Sequence, residues 1–413
     1  MINKNFDILK KVPNYNALKG RIVGKNVLVR VNVNVKNKNG FIHNSPRLNN
    51  VFDIIDFLLK ENATPVLFGH NGRLDKERRL DKRQSLGAVA TYIQGLFQEE
   101  KVIFHEASFK KDVGVGLQIR KDDIVKDAIN ILENVRFEYD FEVGDVLDRK
   151  KLALDLLNLS DNKILIFDAF GDLGSKGASI EDVIELSEEV YFGPSMINEF
   201  HVLESIISRG FNCLIFGGEK LDKIKFLKGI VRSMRDNGFV LVGSGPSPSL
   251  NLNQELLKKL CNGDSEKILT AVDYREPNMK TPLDIGDKTI FKFLDRLDNL
   301  KKGVVIYNGT MGLMEDDISM FNGKFDNEIL ESISKGVFQK GTEAVVKKLI
   351  DLNKRGVRII IIGGDASMAA KKYGLSDQEG VLEFSGGGVP IRIYAGEILT
   401  GLKVLAKKLK IEF

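Results

Sequence analysis

Residues 358–370 read RIIIIGGDASMAA, and no other stretch restricts the fold as much. Arg358 to Ile362 is a short β-branched apolar run, suited to a strand covered on both faces, as in a parallel sheet. Gly363 and Gly364 turn the chain, and Ser367 to Ala370 can open a helix. Strand, glycine turn and helix N-terminus together make a phosphate seat, because free N–H groups and the positive end of the helix dipole point at one spot. Asp365 stands in that turn. A carboxylate there repels phosphate unless a cation lies between, which points to Mg²⁺ bridging Asp365 to a nucleotide. The plainer role for the same residue is a helix N-cap in an ordinary strand-to-helix turn.

Similar strands recur along the chain. In the first half, residues 26–35 (NVLVRVNVNV), 65–70, 101–105 and 163–167 read as strands, 131–136 as a strand running into a loop, and residues 50–60, 84–99 and 150–159 as helices. In the second half, strands are expected at 213–216, 240–243, 268–272, 303–307 and 358–362. Strands alternating with helices predict an α/β fold of two doubly wound, mainly parallel sheets. A helical pattern at 195–209, after Gly193-Pro194, places the boundary near residues 193–205 and makes the link a hinge helix. Residues 1–24 are polar and read as a peripheral lead-in. Open α/β sheets bind ligands at the carboxyl ends of their strands, so two such domains are expected to share a cleft there.

Composition narrows the function. A chain of 413 residues that is 43% hydrophobic and 29% charged, with a formal net charge of +4, gives no argument for nucleic acid or membrane partners. Cys213 and Cys261 lie in apolar contexts without metal-ligand spacing, as expected of a reduced, cytoplasmic protein. His43, His70, His105 and His201 are too scattered for a histidine metal site. A monomer is expected.

Polar groups gather at the ends of the first-half strands. Asn32 and Asn34 interrupt the first strand, Arg47 follows the next turn, His70 and Arg73 lie in GHNGR, and Arg136 ends ENVR. Three arginines near strand ends suit a small, multiply anionic substrate, since guanidinium forks grip carboxylate and phosphate. Taken singly, each arginine reads as a surface ion pair and His70 as a satisfied strand-end histidine.

The series RVNVNV, PRL, GHNGR, ENVRF and FDAFG resembles the N-terminal domain of the phosphoglycerate kinase family. In the second half, FGGEKLDKI (216–224), PLDIGDKTI (282–290), VVIYNGTMGLMED (304–316), FQKGT (338–342), GGD (363–365) and SGGG (385–388) continue the resemblance across nearly the whole chain. It implies an acid-binding domain at 1–195, a nucleotide-binding domain at 196–398 and a tail, 399–413, returning to the first. It implies further that Asn32, Asn34 and Arg47 face the carboxylate end of 3-phosphoglycerate and that His70, Arg73 and Arg136 face its phosphate end. Gly217, Gly218, Lys220, Lys223, Gly243, Asn308, Gly309, Glu315, Gly363, Gly364 and Asp365 then form the ATP/ADP site, with Asp365 on the metal side. Arg47, Lys220, Gly364 and Gly387 attend the phosphoryl group in flight. The activity implied is phosphoryl transfer between ATP and a carboxylate, as in glycolysis, with closure about a hinge.

The departures from the family concentrate at the acid end. Asn32 replaces an aspartate. Residues 172–177 read DLGSKG where the family has Thr-Ala-His-Arg-Ala-His, so its phosphate-gripping arginine falls on Ser175 and only Lys176 offers a nearby charge. Weaker binding of 3-phosphoglycerate, or preference for another acid, is expected. A nucleotide-binding relative without turnover, acting as a regulator, is the alternative.

Overall fold

The protein, seen in a computed structural model, is described at residues 4–35, 42, 45–72, 82–109, 116–138, 142–218, 221–261, 267–276, 282–314, 325–384 and 388–411. It divides into two compact units. Unit 1 comprises residues 1–202 and 398–413, and unit 2 residues 203–397. The division falls inside the helix Pro194–Arg209.

Unit 1 is built on a six-stranded sheet of order β3-β4-β2-β1-β5-β6. Its strands are β1 (Asn26–Val31), β2 (Thr64–Phe68), β3 (Val102–His105), β4 (Ile129–Leu132), β5 (Ile164–Asp168) and β6 (Glu189–Phe192). All its pairings are parallel. Every residue of β1 is buried, although its sequence alternates with asparagines further on. The reason is cover on both faces, which parallel strands require. Val27, Val29, Val31 and Val33 pack with Ile54, Ile55 and Leu58 of the helix Phe52–Lys60 and with Val89 and Ile93 of the helix Gly87–Leu96. The other face of β1 carries Leu28 and Arg30, because successive side chains alternate.

Two expectations for unit 1 need correction. The first strand ends at Val31, not at 35. Beyond it the backbone bonds to side chains of a neighbouring loop: the Val35 N–H donates to Asn71 Oδ1 at 3.1 Å instead of extending the ladder. The N-terminal stretch is not peripheral. Its helix Lys4–Leu9 buries Asn5, Phe6, Ile8 and Leu9, and the Phe6 ring lies 5.6 Å from that of Phe200. Three apolar residues in a polar segment suffice when one helical face collects them.

Unit 2 repeats the architecture with the order β14-β13-β12-β7-β8-β9. Here β7 is Phe211–Phe216, β8 Met234–Val242, β9 Ile268–Leu269, β12 Val304–Asn308, β13 Arg358–Ile362 and β14 Leu382–Phe384. A separate antiparallel pair joins β10 (Tyr274–Arg275) to β11 (Asp284–Ile285). β6, the β10-β11 pair and β14 were not expected from the sequence, and β8 begins six residues before its apolar run. The core sets Ile215, Leu241, Tyr307 and Ile361 against the helices Asp287–Asp298, Lys340–Lys354 and Gly364–Lys372. Both cysteines are free and buried, and burial pushes the Cys213 thiol well up.

Candidate functional site

The carboxyl ends of three neighbouring unit 2 strands turn on glycines. After β7, Gly217 donates its N–H to the Asn308 carbonyl (2.9 Å), and Gly218, at φ +86°, donates to the Thr310 carbonyl (3.0 Å). After β12, Gly309 sits at φ +93° and after β13 Gly363 sits at φ +98°. A Cβ on Gly217 would lie 1.9 Å from the Thr310 carbonyl oxygen, and one on Gly309 2.5 Å from the Gly217 oxygen. The turns after β7 and β12 therefore touch backbone to backbone, which only glycine permits. Gly243, after β8, closes the same row, with its N–H on the Phe216 carbonyl at 2.9 Å.

Asn308 ties β12 to β13. Its Nδ2 donates to the Ile362 carbonyl at 2.7 Å, and its buried Oδ1 has no partner among the described residues. The helix Gly364–Lys372 starts directly from Gly363, which is its N-cap. The helix thus opens at Gly364, three residues before the expected Ser367. Asp365 lies in the first turn, exposed, and makes no side-chain cap. That excludes the N-cap role for it. Its carboxylate faces the Gly218 turn, 4.0 Å from where a Cβ on Gly218 would be.

This edge of unit 2 offers first-turn N–H groups, an unsatisfied acceptor and one accessible carboxylate. Among the described residues no cluster of three or more His, Cys, Asp or Glu could hold a metal by itself. A single carboxylate fits Mg²⁺, which keeps several waters and completes its shell with nucleotide phosphates. Lys223 falls in the segment Leu221–Phe226, which is 3-10 rather than α-helical. Arg73, Lys220, Glu315 and Gly387 lie outside the described residues. A cavity of ≈ 480 Å³ lined by Asn212, Phe239, Arg296 and Lys302 lies at the amino ends of β7 and β12, away from the glycine turns.

Two sequence matches without an obvious chemical role hold this edge together. Asp284, fully buried, accepts from the N–H groups of Ile285 (2.9 Å) and Gly341 (2.8 Å). Thr342 Oγ1 accepts from Met311 (3.0 Å) and Gly312 (3.2 Å). The PLDIGDKTI and FQKGT segments thus clamp the loop after β12. Burial raises the Asp284 carboxyl to about 7.

In unit 1, the strand ends are joined by asparagines. Asn34 Oδ1 accepts from the Gly72 N–H at 3.0 Å. Asn134 links Asn71 and Gln84 through their carbonyls (2.7 and 2.9 Å). Arg136 is half-buried and gives one guanidinium N–H to the Gly72 carbonyl. Asn32 is 8% exposed. Arg47 belongs to the short helix Pro46–Asn49. Ser175 donates its N–H to the Asp172 carbonyl at 2.9 Å, and Lys176 is exposed.

Sequence reasoning missed the charged centre beneath these groups. Arg30, fully buried on β1, places Nη2 2.7 Å from Asp172 Oδ2 and 2.8 Å from His70 Nδ1. Burial opposes ionisation of Asp172, but the Arg30 guanidinium it accepts from, helped by Arg136, outweighs this and holds the carboxyl below its ordinary range. A guanidinium has no lone pair to offer, so His70 Nδ1 accepts and the ring proton sits on Nε2. The available signal was Arg30 itself, a charge inside an apolar run. Glu142 is buried nearby and accepts from the Ser179 hydroxyl (2.5 Å) and N–H (2.9 Å). Burial raises its carboxyl to about 7 against the pull of Arg30, Ser179 and Arg136.

Asp168, at the end of β5, accepts from the Met196 N–H at 2.8 Å and so caps the helix Pro194–Arg209. Burial lifts its carboxyl from 3.8 to about 7, with Glu199 adding to the rise. The folded chain then keeps a proton that the unfolded chain loses near pH 4. This group's contribution to stability is greatest below pH 4 and declines as pH rises to 7. Asp168→Asn keeps the acceptor and removes the titration. Its melting temperature relative to the native chain should climb by at least about 2 °C between pH 5 and pH 8, the response to roughly 1 kcal/mol. A difference independent of pH would refute the assignment.

Two α/β units, one with glycine turns and a helix N-terminus at its strand ends, match the architecture of a phosphotransferase. A model of the phosphoglycerate kinase family matches residues 18–245, more than half of the chain, and the chain belongs to that family. The phosphoglycerate kinase of Streptococcus mutans is 27% identical over 424 residues, covering 93% of this chain and 97% of its own. That of Borreliella afzelii is 26% identical and covers 97% and 100%. The structures of phosphoglycerate kinase from Pyrococcus horikoshii and Coxiella burnetii, each 21% identical, share the fold with TM-scores of 0.69 and 0.64 and cover 97% and 94% of this chain. Among the described residues no helix is long and apolar enough to cross a membrane.

Proposed function

We propose that the chain transfers a phosphoryl group between ATP/ADP and a carboxylate, either 3-phosphoglycerate or a related acid, by in-line displacement. Unit 2 holds the nucleotide and unit 1 the acid. The observation that carries the reading is the row of glycine turns after β7, β12 and β13, with the Asp365 carboxylate and the orphaned Asn308 Oδ1 beside them. The phosphates lie against the turns and the first-turn N–H groups of the helix Gly364–Lys372, while Lys220, Lys223 and Glu315 complete the nucleotide contacts. Asp365 would hold Mg²⁺, whose charge would offset that of the carboxylate and of the nucleotide phosphates. Asn32, Asn34, Arg47, His70, Arg73 and Arg136 orient the acid. No nucleophile or base from the protein is needed, since positioning and charge neutralisation carry such a reaction.

Asp365→Ala tests this. Mg²⁺-dependent turnover, read by coupled ADP release, is expected to fall at least about 100-fold, the scale of losing a group that stabilises developing charge. Metal-free nucleotide binding by calorimetry should change less than threefold, an effect of under about 1 kcal/mol. Equal losses in both would remove the metal role. Nucleotide binding without turnover of any carboxylate would favour a regulatory relative.

A further inference from the structure

The buried charges of unit 1 bear on which acid it takes, given the carboxylate-kinase reading above. Arg30 is fully buried, with its guanidinium over the Phe68 ring at 5.4 Å. One of its nitrogens serves both Asp172 (2.7 Å) and His70 (2.8 Å). This contact has two consequences. The Arg30 charge is neutralised inside the unit by Asp172, which lies on the loop that follows β5. His70, accepting at Nδ1, is a neutral ring. Arg136 has committed a guanidinium N–H to the Gly72 carbonyl, and Glu142 lies within the electrostatic reach of both Arg30 and Arg136.

The loop itself reinforces the balance. Gly177, at φ +146°, leaves no room for a side chain, because its Cβ would sit 2.5 Å from Glu142 Oε1. Ser175 carries no charge, and Lys176 is exposed. A phosphate dianion brought to this edge would find the Arg30 charge already offset by Asp172 and the Arg136 guanidinium already bonded to the Gly72 carbonyl, with no charge on Ser175. Little of that positive charge is left to offset the dianion. An uncharged hydroxyl needs no such compensating charge.

We propose that Asp172 determines acceptor specificity by pairing with Arg30, whose same nitrogen also engages His70, so that the acceptor is a hydroxy-carboxylic acid whose far end is uncharged rather than a phosphate ester. Its carboxylate is the one anionic group the acid side must seat.

The test measures kcat and KM of the full chain for glycerate and for 3-phosphoglycerate by coupled ADP release, in the native protein and in Asp172→Asn. Asparagine keeps an acceptor for Arg30 Nη2 and removes the charge. The native protein is expected to favour glycerate in kcat/KM by about tenfold or more, and the variant to move that ratio toward 3-phosphoglycerate by about tenfold or more, chiefly through KM, as one charge-assisted contact would. Asp172→Thr is the second variant should the first not fold, and the native ratio is decisive by itself. A native preference for 3-phosphoglycerate, or a ratio unchanged in a folded variant, overturns the proposal and leaves the kinase reading intact. If neither acid turns over, calorimetric binding of the two acids decides the preference. Failure of both to bind while nucleotide still does overturns the proposal together with the acid-kinase reading.

Discussion

Gly217→Ala should lower nucleotide affinity more than 100-fold and destabilise unit 2 by about 3 kcal/mol or more, at or above the top of the range for overpacking a close-packed site. The added methyl would stand 1.9 Å from the Thr310 oxygen, 2.6 Å from its carbonyl carbon and 2.9 Å from the Gly309 carbon. These are backbone atoms and cannot rotate aside. They are pinned in turn by the Gly217 and Gly218 N–H groups and by Ser244, whose N–H reaches the Met311 carbonyl at 3.0 Å. Relief must come from separating the β7 and β12 turns, and that separation disperses the N–H groups meant for phosphate. Gly364→Ala is the control, because nothing lies within 4 Å of a Cβ there and its backbone is helical. It should fold with native stability in urea titration, so any loss of affinity would come from the ligand. Native stability and native nucleotide binding in Gly217→Ala would show that the two turns do not form the seat.

The sequence made the strands legible where the fold covers both faces with apolar residues. Ile359, Ile360, Ile361 and Ile362 need no tertiary information to be read as a buried strand, and neither do Leu165, Ile166 and Phe167. Where the backbone satisfies itself through a side chain, periodicity misleads: residues 32–35 alternate like a strand, yet Asn71 takes the bond that a ladder would have made. Short strands such as Leu382–Phe384 carry too few residues for any pattern. At the site the glycine turns were legible, because a glycine pair after an apolar run has a local cause. The pairing of Arg30 with Asp172 has none. Those two residues are 142 positions apart, and only the adjacency of β1 and β5 brings them together. Asp284 is similar, since its role depends on reaching Gly341, 57 residues away.

Lys220→Ala and, separately, Arg47→Ala should each reduce kcat by about 100-fold or more while KM for nucleotide moves far less. The phosphoryl group in flight carries more spread-out charge than either ground state, and a cation fixed at that point is worth most in the transition state. Lys220 follows Gly218 by two positions in sequence, and Gly218 faces the Asp365 carboxylate across the turn. The flexible stem of a lysine lets its ammonium follow a moving phosphate. Arg47 enters through the resemblance of PRL to its family motif, on unit 1. The protein supplies no base or nucleophile in this reading, so no second chemical group can compensate for either loss. Measured with saturating Mg²⁺, a fall in kcat and kcat/KM by the same factor identifies an interaction made only in the transition state. A rise in KM with kcat preserved would instead show that these cations hold the substrates at rest, and would move the catalytic burden to the helix N-terminus at Gly364 and to Asp365.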